Sequence, residues 1–171
     1  MSVPLPMAAL ARLAAVALDA ALAPRPASLG LLMSDDRELA ALNAEHMGKR
    51  GPTDVLSFPL LPAEAFGRDG PVAAASADFT LPPGRRPHLG DIVVSVERAA
   101  AQAHEGRGGQ TGDVRWSVAE EVALLVVHGT LHLCGWDHAE AADEADMRAM
   151  ERRILAAAGP TLPGRTRAAG R

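Results

Sequence analysis

The chain has 171 residues, 48% of them hydrophobic and 22% charged, with a formal net charge of −4. That is enough apolar material for one buried core, and a single Cys excludes an intrachain disulfide and suits a reducing cytoplasm. The acidic balance does not advertise a nucleic-acid binder, although net charge can hide a local basic cleft.

In chain order, residues 7–23 come first. This apolar stretch resembles a leader peptide, but no basic residue precedes it, and Arg12 and Asp19 interrupt it. Those two share one helical face, with Met7, Leu10, Ala14, Ala17, Leu18 and Ala21 on the other. An amphipathic packing helix ended by Pro24 and Pro26 is therefore expected. Residues 28–34 read as a short strand. Asp35 and Glu38 have capping-box spacing and open a second helix, with Leu39, Leu42 and His46 or Met47 inward, which stops by Gly48. A loop over 49–53 carries the chain's only Lys, Lys49, beside Arg50. Residues 55–60 alternate, with Leu56, Phe58 and Leu60 on one side, as a strand does.

Residues 62–88 are rich in Pro, Gly and Ala without period and read as an exposed loop or insertion. Arg85 and Arg86 within it are solvated surface or phosphate contacts, and His88 reads as surface. Residues 91–96 form a strand with Ile92, Val94 and Val96 facing one way. A helix over 97–105 ends at Gly106, with His104 at its C-terminus, and residues 106–113 link it to the histidine-bearing helix.

That helix organises the rest. Ser117 and Glu120 again have capping-box spacing. Val122, Ala123, Leu124, Leu125, Val126 and Val127 cover every side of the cylinder, which predicts a helix buried all round. The run is too short for the roughly 20 residues of a membrane span. His128 and His132 lie one turn apart on one face, and Gly135 is placed to stop the helix and turn the chain back, bringing His138 beside them. Three neutral imidazoles suit a zinc-like ion with a fourth position left for water. Cys134 is two positions from His132, hence on the opposite face, and reads as a small buried apolar group. Zinc proteases of the His-Glu-x-x-His type carry their general base directly after the first His. That position is Gly129 here. A last helix runs to about Ala158, with Met147, Met150, Ile154 and Ala158 inward and Glu140, Asp143 and Glu144 in its first turns. Residues 160–171, with Arg165, Arg167 and Arg171, read as a disordered basic tail. The expected architecture is one α+β domain over 1–171: a small mixed β-sheet packed with helices, with the central buried helix carrying the histidines.

The stretch HGTLHLCGWDH at 128–138 closely resembles the signature of the YbeY family of bacterial metal-dependent endoribonucleases. PTDVLSFP at 52–59, LGDIVVS at 89–95 and LNAEHMGKRG at 42–51 agree with it in order, so the resemblance covers most of residues 29–155. It implies that His128, His132 and His138 are the ligands of one zinc ion per chain. It also implies that the activity is single-strand RNA cleavage in ribosomal RNA maturation, notably at the three-prime end of small-subunit RNA, and in ribosome quality control. RNA and the ribosome or a ribosomal protein would be the partners, in the cytoplasm. The chain departs from the family where many members carry an Arg, here Met47 after His46, and where many carry a His one turn before the first ligand, here Leu124. Lys49 and Arg50 are the cations available to substitute. Asp54, Asp91 and Asp137 are candidates for orienting ligands or moving protons, although a cap or turn role suits each. Two other functions fit the same residues: a metal-dependent hydrolase of another substrate class, and a non-enzymatic ribosome-assembly factor with a structural metal.

Overall fold

A computed structural model describes residues 2–66, 86–105, 117–138 and 140–158. The elements run α1 (Met7–Ala20), β1 (Ser28–Ser34), α2 (Asp36–Met47), β2 (Val55–Pro59), a 3-10 turn (Ala63–Ala65), β3 (His88–Ser95), α3 (Val96–Glu105), α4 (Val118–Leu133) and α5 (Ala141–Ala157). This is the α+β class expected, with a mixed three-stranded sheet ordered β1-β3-β2 among the described residues. β3 is central. It pairs parallel with β1, Leu31 opposite Ile92, and antiparallel with β2, Ser57 opposite Ile92.

The period of two along β3 divides the protein into two layers. Ile92 and Val94 face the main core, together with Val122 to Val127 of α4, while Val93 faces the other side with Leu56 and Leu39 of α2. So α4 and α2 lie on opposite faces of the sheet. α4 packs against α1, α3, α5, β2 and β3, and its residues Val122, Ala123, Leu124, Leu125, Val126 and Val127 are all buried, as their sequence requires. Fully burying one such Val or Leu contributes about 1.5–3 kcal/mol, which is why this helix holds its position so firmly. Its start has the full capping box. The Ser117 hydroxyl accepts from the Glu120 N–H, and the Ser117 N–H donates to the Glu120 carboxylate at 2.9 Å.

Several inward positions differ from the sequence reading. α1 buries Leu10, Leu13, Ala14 and Ala17, an i, i+3, i+4, i+7 seam, while Met7 at the first helical residue is exposed. On α2, Leu39 and Leu42 pack against the sheet as expected and the His46 ring meets Phe58 edge-on, but Asn43 is also buried, its side-chain amide donating to the Gly51 carbonyl at 2.9 Å, and Met47 is exposed. Leu60 is exposed because β2 ends at Pro59. Val96 belongs to α3 rather than to the strand. The segment 62–88 is not exposed at its start: Ala65 and Phe66 are buried in the main core. Its stretch 67–85, the linker 106–113 and the tail 160–171 lie outside the described residues.

Candidate metal centre

α4 ends as the sequence demands. Cys134 is the C-cap and Gly135 has φ of 77°. The Trp136 N–H donates to the Leu131 carbonyl at 3.1 Å and the Gly135 N–H to the His132 carbonyl at 3.0 Å, the two bonds of a Schellman motif. Gly is required at 135 twice over. The left-handed backbone disfavours a side chain, and a Cβ there would stand 2.8 Å from the Cβ of Ala63. The reversal brings His138 back toward α4, where its N–H donates to the Asp137 carboxylate at 2.7 Å.

His128, His132 and His138 thus converge, each offering one ring nitrogen, all within 4.8 Å of one another. The Nε2 atoms of His128 and His132 approach to 3.1 Å. Two nitrogens bound to one tetrahedral zinc stand about 3.3 Å apart, given bonds of about 2.0–2.1 Å, so the pair is spaced for a shared ion. His132 is held down at about 4 by burial and by the neighbouring His128 and His138 rings, against smaller opposing effects of the Trp136 backbone and Asp137. At neutral pH it is therefore uncharged, the form that donates to a metal. His132 and His128 are half-buried and His138 is exposed, so the cluster opens to solvent on the His138 side. Donor set, spacing and the uncharged His132 all fit a zinc-like ion.

Cys134 is buried, burial pushes its thiol up to about 12, and it is not among the side chains that meet at the cluster. Asp54 accepts from the Val55 N–H at 2.9 Å and from Gln102 Nε2 at 2.9 Å, which ties β2 to α3. Asp91 pairs with His88 Nε2 at 3.1 Å and lies over Gly30. The structure thus gives Asp54 and Asp91 partners in the scaffold, while Asp137 stands at the cluster. Lys49 and Arg50 are exposed on the loop that leaves α2. Arg86 is exposed; Arg85 lies outside the described residues. Leu124 is buried in the core.

Two residues that the sequence reading missed hold the cluster. Ser57 on β2 donates to the Gly129 carbonyl at 3.0 Å, fastening α4 to the sheet one residue after the first His. Glu151 on α5 is buried, and its Oε1 is 2.7 Å from Nδ1 of His128. A signal for Glu151 existed: it falls between Met147 and Ile154 on the inward face of α5, at i+4 and i−3, where a carboxylate is out of pattern. Gly129 is explained by packing. A Cβ there would stand 2.8 Å from Ile92 Cγ2 and 3.1 Å from Val55 Cγ2, so this position faces the sheet and cannot carry a protease-type base.

The chain and its fold match known proteins. The family described as Endoribonuclease YbeY matches residues 5–159. An Endoribonuclease YbeY of Roseiflexus sp. (strain RS-1) is 46% identical over 135 residues, 78% of this chain and 72% of the relative. One of Moorella thermoacetica is 42% identical over 133 residues, 78% of this chain and 74% of the relative. The solution structure of a Thermotoga maritima protein superposes with a TM-score of 0.52 at 20% identity, covering 90% of this chain and 83% of the other, which is agreement in fold.

Proposed function

The chain belongs to the YbeY endoribonuclease family, and on that premise we propose that it is a zinc-dependent single-strand endoribonuclease that acts in ribosomal RNA maturation, at the three-prime end of small-subunit RNA, and in ribosome quality control. The observation that carries this reading is the convergence of His128, His132 and His138 at the end of a rigid buried helix. When bound there, zinc supplies a Lewis acid for a phosphoryl oxygen and a water whose pKa falls to about 7.

The protein's own part is positioning. The capping box and the surrounding core fix α4, the Schellman turn fixes where His138 returns, and Ser57 pins the helix to the sheet. The side chains that meet number three among the described residues. Three protein ligands are the number that catalytic zinc sites use, the fourth position being left to water or substrate. The exposed His138 edge would admit a strand from solvent, and Asp137, whose carboxylate accepts from the His138 backbone N–H, is a candidate there for proton transfer.

With a net charge of −4 and Met47 at the family's Arg position, few cations are left to hold the substrate. The ribosome or a ribosomal protein would then raise the effective concentration of RNA at the site. The single buried Cys supports a reducing cytoplasm, and no described helix is long and apolar enough to cross a membrane. The test is incubation of purified protein with single-stranded RNA, with and without chelator. Internal cleavage that stops with chelator and returns with zinc supports the proposal. Cleavage indifferent to chelator, or none with zinc-loaded protein on RNA or ribosomal substrates, contradicts it.

A further inference from the structure

Glu151 is the group at this site that composition and core packing leave unexplained. It is 4% exposed, on a helix whose neighbouring buried residues are Met147, Ile154 and Leu155. Taking a carboxylate out of water is costly, and replacing a buried pair by apolar side chains of similar size is often neutral or stabilising. Stability therefore gives no reason for a Glu here. Its contact does: Oε1 lies 2.7 Å from Nδ1 of His128, whose side chain is itself 14% exposed. The other ring nitrogen, Nε2, is the one that meets Nε2 of His132.

We propose that Glu151 is a positioning residue for the metal, acting through His128. Its carboxylate accepts the Nδ1–H, which fixes the neutral tautomer whose lone pair is on Nε2, where the three rings converge. The same bond stops rotation of the ring about its Cβ–Cγ axis. A negative charge behind the imidazole also makes Nε2 a better donor. This rests on the reading of the three histidines as the ligand set. It adds that the site is built from three segments: α4 and the turn after it supply the ligands, and α5 supplies the group that aims the first of them. Because α5 also packs against α1 and α4, the metal and the docking of α5 become linked. Zinc binding then stabilises α5, and loss of the Glu151 contact weakens zinc.

The experiment uses the full chain, stripped of metal and titrated with zinc against a chromogenic chelator, and with cobalt(II) for its absorption spectrum. Three variants are compared: Glu151→Leu, Glu151→Gln and Glu151→Asp. Leu removes the acceptor, and zinc affinity should fall by roughly 10–100-fold with an altered cobalt spectrum. Gln keeps an acceptor oxygen at the same reach without the charge, so its loss should be smaller than that of Leu. Asp keeps the charge but withdraws it by one methylene, so it should bind zinc more weakly than wild type. A purely structural Glu151 would change the thermal stability of the metal-free protein and leave zinc affinity and the cobalt spectrum alone. That outcome in Gln and Asp, the variants least able to disturb folding, overturns the proposal. His132→Ala, run in parallel, separates the two claims. If it binds zinc as wild type does, the histidine reading fails; if it loses zinc while the Glu151 variants keep theirs, only the role of Glu151 fails.

Discussion

Gly129 tests whether the close seating of α4 on the sheet positions the metal ligands. The perturbation is Gly129→Ala. Two effects oppose each other. In a helix interior Ala is better than Gly by about 0.8–1.0 kcal/mol. Against this, the new Cβ would stand 2.8 Å from Ile92 Cγ2, 3.1 Å from Val55 Cγ2 and 3.2 Å from Ser57 Oγ. Favourable carbon contacts lie near 3.5–4.0 Å. Ile92 is fully buried at the centre of the sheet, and its branched side chain has little rotamer freedom, so it cannot yield. Overpacking of this kind costs about 1–3 kcal/mol, so the clash outweighs the propensity gain and the net loss reaches about 2 kcal/mol, or up to about 8 °C in Tm for a domain of this size. Relief requires α4 to lift from the sheet, which stretches the Ser57–Gly129 bond and shifts His128. Thermal denaturation of the metal-free variant and zinc titration of the same sample read both consequences. Since Val55→Ala removes one of the clashing methyls, the double variant should lose less than the sum of the single losses. A Gly129→Ala protein as stable as wild type, with unchanged zinc affinity, would show that the seating of α4 does not set the ligand geometry.

Other predictions concern the flanks of the site. Ser117→Ala removes the cap of α4 and should cost about 1 kcal/mol of stability without changing metal content, as thermal denaturation and metal analysis will show. Because burial raises the Cys134 thiol from about 9 to about 12, native protein should resist alkylation near pH 8 and react once unfolded. Above pH 9 the unfolded chain releases this proton while the folded chain keeps it, so stability should fall as pH rises from there. Cys134→Ala should keep its metal and remove that pH dependence; a loss of metal would mean that the thiol is a ligand. For RNA, each phosphate neutralised on a single strand adds roughly −0.7 to the slope of log affinity against log salt. Binding by metal-free protein should be weak, with a slope on the order of −1 to −3. Met47 is 44% exposed at the last residue of α2, so Met47→Arg has room and should steepen the slope by about 0.7. A wild-type slope near −6, or no change on adding the Arg, would place the RNA path elsewhere.

Much of the fold is legible in the sequence because local signals and tertiary demands agree. Ser117 and Glu120 mark the start of α4, its buried residues fill every side, and Gly135 marks the turn; each has its structural counterpart. The strands at 28–34 and 55–59 are equally plain from their alternation and flanking Pro. The features that the sequence hides depend on partners far along the chain. Met47 is exposed although it lies one turn beyond the buried Asn43, whose side chain holds Gly51. Phe66 is buried although its surroundings have the composition of a surface loop. Glu151 is hidden most deeply, since it stands 23 residues from the histidine it touches. Asp54, a candidate for the site by sequence, is committed to Gln102 and its own loop. Helical period alone places Glu151 inward but cannot say which histidine waits there.

If the three histidines act as one metal site that cuts RNA, metal and cleavage must be lost together. The most direct measurement is metal content and single-strand RNA cleavage on the same preparations of wild type, His132→Ala and the triple variant of His128, His132 and His138. Wild type should carry about one divalent ion per chain, as expected of a three-histidine site with one open position, and should cleave. His132→Ala should lose most of both, and the triple variant all of both, with the fold intact. Equal metal content in wild type and the triple variant would contradict the claim.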